Sequence, residues 1–172
     1  GYVASPQSTK SETGSALMGR IGILQTILFE HQESFWPRYL SQTAVERAGY
    51  FASADMGIAG QYTFPNKMGE IYATVTNGPG YAARERDRFK DFGARLSLTP
   101  LSGTPGLLQN FTITPWIYKG ATASAFVNGG ATQVGPVGEA LARDRYGLFV
   151  GIKDPRLVVA GEWAHRKDGV DV

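Results

Sequence analysis

The chain has no cysteine, only two histidines, and no run of about 18 apolar residues. Without cysteine there is no disulfide framework and no thiol chemistry, which suits the cytoplasm and equally an envelope protein that dispenses with disulfides. Lacking a long apolar run, it has no transmembrane helix. Charge of one sign is scarce as well: 17 Lys and Arg against 15 Asp and Glu leave +2, which gives a nucleic-acid partner no support. The opening "GYVASPQSTKSETGS" has no basic start followed by an apolar core, so it does not read as a signal peptide. Beginning at Gly1 fits a processed mature protein or a piece of a longer one.

Catalytic constellations are also missing. "EHQE" sets carboxylates beside His31, but it is not the His-Glu-x-x-His zinc spacing, and the other histidine, His165, is far away in sequence. Ser34 near His31 is a sequence coincidence unless the fold gives it triad geometry. The sequon "NFT", Asn110 to Thr112, lies inside a predicted strand and is discounted. We therefore expect no enzyme, no metal and no cofactor.

What is present is 22 glycines, 12% aromatics and a succession of period-two segments, in 172 residues that fit one domain. The alternation predicts seven strands: 20–28, 52–64, 68–78, 90–100, 109–119, 143–152 and 156–165. Each is roughly the 9 to 11 residues that cross a bilayer as a tilted strand. The clearest is "ASADMGIAGQYTF", with Ala54, Met56, Ile58, Gly60, Tyr62 and Phe64 on one face and Ser53, Asp55, Gly57, Ala59, Gln61 and Thr63 on the other. In "KDFGARLSLTPL", Phe92, Ala94, Leu96 and Leu98 alternate with Gly93, Arg95, Ser97 and Thr99. Pro115 removes a ladder hydrogen bond from the fifth segment.

Connections after the second, fourth and sixth strands are short, while the loops 29–49, 79–89 and 120–142 are long. All short turns then lie at one end of an up-and-down sheet, as in outer-membrane barrels. "TAVE", Thr43 to Glu46, has capping-box spacing and predicts a short helix; an irregular loop with a chance match is the alternative. "FEHQESFWPRY", Phe29 to Tyr39, either folds inward as a constriction or stays outside as a packing loop with aromatic anchors. The charged run "RERDRFKD", Arg84 to Asp91, reads as a solvated loop able to meet anionic headgroups.

Alternation does not say which solvent wets which face. In a soluble sheet the apolar face is core, whereas in a membrane barrel it meets lipid and the polar face lines the lumen. Three signals favour the second. The apolar faces are uneven, with Ala54, Gly60, Ala73, Ala94 and Gly161 among larger residues, which lipid tolerates better than a close-packed core does. Aromatics fall near strand ends, with Tyr62, Phe64, Trp116, Tyr118, Tyr146 and Trp163 suiting interfacial girdles. Both signs of charge sit mid-strand on the polar faces.

In the order "FASADMGIAGQYTF", "MGEIYATVTNGPGY", "FKDFGARLSLTPL", "FTITPWIYKG" and "RDRYGLFVGIKDPRLVVAGEWAH", the chain resembles the outer-membrane porins grouped with the phosphate-selective porins. The family's Val-x-Asn-Gly-x-Gly-Tyr strand end is matched by Val75, Asn77, Gly78, Gly80 and Tyr81. An Arg strand ending in Pro-Leu is matched from Arg95 to Leu101, then Asp144 to Gly147, and finally Gly161 to Trp163. The resemblance spans roughly residues 19 to 165. It implies an all-β, antiparallel up-and-down transmembrane β-barrel of about 16 strands or more. This chain supplies seven and stops at "RKDGVDV", so the expectation is a segment of a larger barrel, or one of several chains completing it. Family selectivity for phosphate uses clustered lumen cations, yet here only Arg20, Arg95 and Arg145 qualify, with Asp55, Glu70 and Glu162 on the same side.

The expected function is diffusion of small hydrophilic solutes or ions through a water-filled lumen in the bacterial outer membrane. Pore-lining candidates are Arg20, Asp55, Gln61, Glu70, Thr74, Arg95, Ser97, Thr112, Arg145 and Glu162; the bland alternative for each is a solvated sheet face or a cross-strand pair. Interface aromatics are Tyr62, Phe64, Tyr146 and Trp163. Outer-membrane lipid and small solutes are the expected partners, with a homotrimer or larger envelope assembly by resemblance. Two other functions stay open: a structural or anchoring barrel, and a soluble barrel binding an apolar ligand.

Overall fold

The computed structural model describes residues 9–10, 14–36, 42–82, 89–123 and 140–168. Its strands are β1 (Thr9–Lys10), β2 (Ala16–Gln25), β3 (Ala54–Thr63), β4 (Gly69–Thr76), β5 (Asp91–Leu98), β6 (Phe111–Ala123), β7 (Ala140–Asp154) and β8 (Leu157–Asp168). Two short helices, α1 (Phe29–Glu33) and α2 (Ala44–Arg47), lie between β2 and β3. Every strand pairs antiparallel with its sequence neighbour, so seven long strands form an up-and-down sheet that β1 extends by two residues. The sheet is open: among the described residues β1 and β8 do not pair with each other.

Several boundaries differ from the sequence reading. The first long strand runs Ala16–Gln25 rather than 20–28, because the chain leaves the sheet at Thr26. There the Thr26 hydroxyl donates to the Ala52 carbonyl at 2.5 Å and its N–H to Ser53 at 3.1 Å, turning the backbone into α1. β6 and β7 extend beyond 119 and before 143, since their ladder continues from Gly120↔Arg143 to Ala123↔Ala140. The 120–142 loop is thus shortened at both ends, and residues 124–139 lie outside the described residues, as do 37–41 and 83–88, most of the run "RERDRFKD". β1 was not foreseen; two residues carry no readable alternation.

Turn chemistry explains the short end of the sheet. Asn66 and Lys67 follow Pro65 with φ of 56° and 57°, both in the left-handed region that lets β3 reverse into β4. Beside Pro115, which has no N–H to donate, the β5–β6 ladder passes from Arg95↔Trp116 straight to Leu98↔Ile113.

One face is bare and the other covered. Large apolar side chains stand on the bare face, with Ile21 73% and Phe92 59% exposed and Ile23, Ile58 and Val159 similarly open. A register row of small residues, Gly60, Ala73 and Ala94, crosses it between bulkier rows. Tyr72, Thr74, Arg95, Ser97, Thr114 and Phe149 are buried on the opposite face. What buries them is an inward segment, described at residues 26–36 and 42–51. Ile27, Leu28, Phe29, Val45 and Phe51 form one apolar cluster with Tyr72, Trp116 and Tyr118. Glycines on the covered face admit this segment: a Cβ on Gly93 would lie 2.5 Å from Ile27, and one on Gly151 would lie 2.5 Å from Phe35.

Candidate functional site on the covered face

Antiparallel register assembles the site. Gln61 is opposite Tyr72, and Tyr72 opposite Arg95, while the neighbouring row sets Glu70 opposite Ser97. Side chains of one row lie within reach of the next. The outcome is a chain of hydrogen bonds along the wall. Glu30 on α1 accepts from Arg20 at 2.6 Å, and a second Arg20 nitrogen donates to Gln61 at 3.1 Å. Gln61 donates to Glu70 at 2.5 Å, and Arg95 donates to Glu70 at 2.5 Å and to Ser97 at 2.9 Å. Both guanidiniums lie over the Tyr72 ring, 5.7 Å and 5.2 Å from its centre, a cation–π sandwich that fixes their height. The Arg20 hydrogen bond and charge hold the Glu30 carboxyl below the usual carboxylate range.

His31 is set into this wall. Its Nε2 lies 2.9 Å from the Thr114 hydroxyl, and its ring meets Phe149 and Phe35 edge-on at 5.3 Å and 5.6 Å. Burial first, and the Arg95 charge second, push the imidazole down to about 4. It is neutral at pH 7. Ser34 does not pair with this ring; its hydroxyl donates to the His31 carbonyl at 2.6 Å. Among the described residues, no three His, Cys, Asp or Glu side chains converge on a metal-sized site.

A second cluster anchors the long-loop end. Asp91 is fully buried and accepts from the Tyr118 hydroxyl, from Arg143 at 2.7 Å and from the Ala121 N–H at 3.3 Å. Arg143 also donates to the Gly78 carbonyl at 3.1 Å. Asp55 holds the turn after β4 by accepting from the N–H groups of Met56 and Gly78.

All ten pore-lining candidates lie on the covered face. Arg20, Gln61, Glu70, Arg95 and Ser97 are joined in one network. Arg145 belongs elsewhere, pairing with Asp168 at 3.0 Å and lying over Phe51 and Tyr118. Thr74 sits across from Gly93, Thr112 across from Gly151, and Glu162 across from Phe149. Of the aromatics, Tyr62, Tyr146 and Trp163 are exposed on the bare face and Phe64 is half-buried at its turn. Trp116 and Tyr118 are corrected: they are buried under the inward segment because their strand parity places them on the covered face. Glu30, His31, Asp91 and Arg143 were not foreseen as parts of the site. Their signal was indirect, in glycines on an otherwise polar face that leave room for a covering segment.

Comparison with known proteins finds no family model, no curated protein and no solved structure that matches this chain. The functional reading therefore rests on the residues and their geometry.

Proposed function

We propose that this chain forms part of an outer-membrane β-barrel porin, with lipid against the bare face and water along the covered face. The observation that carries this is the inversion of the two faces: Phe92 is 59% exposed while Arg95, three residues on, is 3% exposed. A soluble sheet pays for such exposure in lost hydrophobic burial, whereas in a bilayer it is the favourable arrangement. Two open sheet edges in lipid would each leave backbone groups unpaired, so further strands or further copies of the chain complete the barrel. Residues 26–36 and 42–51 narrow the lumen, and the Arg20–Gln61–Glu70–Arg95 network meets small hydrophilic solutes as they pass.

An anchoring barrel that does not conduct is the second reading, favoured by the apolar cluster of Ile27, Phe29, Val45 and Phe51 filling part of the covered face. Folding the chain with and without detergent micelles, then recording from planar bilayers, tests both. We expect folding only with detergent or lipid, followed by stepwise conductance. Cooperative folding in plain buffer overturns the membrane reading; a folded, inserted barrel that never conducts overturns the pore.

A further inference from the structure

Beneath α1, at the short-turn end of the covered face, lies a cavity of about 520 Å³, within the range of small-molecule sites. The inward segment forms its roof with His31, Ser34 and Phe35. Its walls are rich in hydroxyls and amides, including Thr63, Thr99, Thr112, Gln109 and Asn110. Its only carboxylate, Glu70, already serves Arg95 and Gln61. Two cations, Lys67 and Lys153, complete the lining. Lys153 ties the roof down through the Ser34 carbonyl.

Lys67 is the informative residue. It stands at a φ of 57°, where glycine would be cheaper by about 1 kcal/mol. Lys67 is exposed at the turn, has no acidic partner among the described residues, and lines the cavity. In the same lining, Thr63, Thr99 and the exposed Gln109 have no side-chain hydrogen bond to another described residue. A cation and unengaged hydroxyls and an amide in one lining suit an anionic group on a molecule carrying several hydroxyls.

We propose that this cavity binds a polyhydroxylated carboxylate, a sugar acid, with Lys67 on the carboxylate and Thr63, Thr99 and Gln109 on the hydroxyls. The inference deepens the pore reading, naming the class of solute held at the narrow end of the lumen. Lys67→Gly is the decisive variant, since glycine suits that backbone and leaves the turn at least as stable.

Calorimetric titration of the full chain in detergent micelles, with glucuronate, glucose, acetate and inorganic phosphate, tests it. Glucuronate should bind about tenfold more tightly than glucose or acetate, the worth of one charge-assisted hydrogen bond. Lys67→Gly should erase that preference and leave glucose binding unchanged, while Thr99→Val should weaken both sugars and Lys119→Gln, on the bare face, neither. Acetate or phosphate binding as well as glucuronate would reduce the site to a simple anion trap and overturn the proposal. So would glucose matching glucuronate, or no binding by any probe. Titration needs no ion flow, so a chain that conducts without binding loses only this site. One that binds without conducting loses only the pore.

Discussion

On β5, Phe92, Ala94 and Leu96 point to the bare face, and Asp91, Arg95 and Ser97 to the covered one. The apolar set is left open and the polar set is enclosed. In the bare region, side chains project from their strands with side-by-side contacts such as the Tyr146 and Trp163 rings 5.8 Å apart, and their size varies from Gly60 to Phe92. In the covered region buried polar side chains are tied to specific neighbours: Arg95 has Glu70 and Ser97, Asp91 has Tyr118 and Arg143, and His31 has Thr114. Burial here follows the inward segment, not residue polarity. Substitutions on the covered face should thus act through particular partners, and those on the bare face through the solvent alone.

The largest break in that contrast is Asp91→Ala. It leaves Arg143 without its carboxylate and Tyr118 without its acceptor, and removing one member of a buried pair costs about 3–5 kcal/mol. Denaturant titration of the folded chain measures it; a loss under about 1 kcal/mol would mean the cluster is wetter than its burial implies.

Ile58→Arg on the bare face is next. A cation at the lipid midplane costs about 2–4 kcal/mol, whereas an exposed substitution in water stays within about 0.5 kcal/mol. The same titration therefore reads the solvent of that face directly.

Acidification reaches the covered face through His31. Free imidazole protonates near 6.5 and folded His31 only near 4. Between those values the unfolded chain binds more protons, so stability is full above pH 6.5 and falls as pH is lowered. At pH 5 the loss should be roughly 2 kcal/mol. Glutamine in place of His31 should flatten the profile between pH 7 and 5; a profile unchanged by that substitution would place the titration elsewhere.

These expectations show how unevenly the sequence speaks. Strict alternation made the long strands and their two faces readable, because a period of two sends each residue to a definite side. The Thr43–Glu46 spacing likewise marked α2, whose Thr43 side chain accepts from the Glu46 N–H at 3.4 Å. Nothing local shows where residues 26–36 and 42–51 go. That placement depends on Gly93 and Gly151, far along the chain, leaving space that Ile27 and Phe35 fill. Trp116 and Tyr118 were read from their nearness to a strand end, yet their parity with Thr114 puts them under the segment. His31 similarly looked like an isolated ring until Thr114 and Phe149, more than eighty residues away, enclosed it.

The smallest effect on stability should carry the clearest effect on transport. Arg20 and Glu30 form a half-exposed ion pair joining α1 to the wall, and such pairs contribute about 1 kcal/mol or less. Glu30→Gln should leave the denaturation midpoint nearly unchanged. It removes one negative charge, however, while Arg20 keeps its bond to Gln61 and its place over Tyr72. On the proposed pore reading, the covered face beside the segment then gains one unit of positive charge, which should move the reversal potential in a salt gradient toward anions, most strongly at low ionic strength. An unaltered reversal potential in a variant that folds and conducts would place Arg20 and Glu30 outside the ion path. The network would then be a brace for the inward segment and not part of the pore lining.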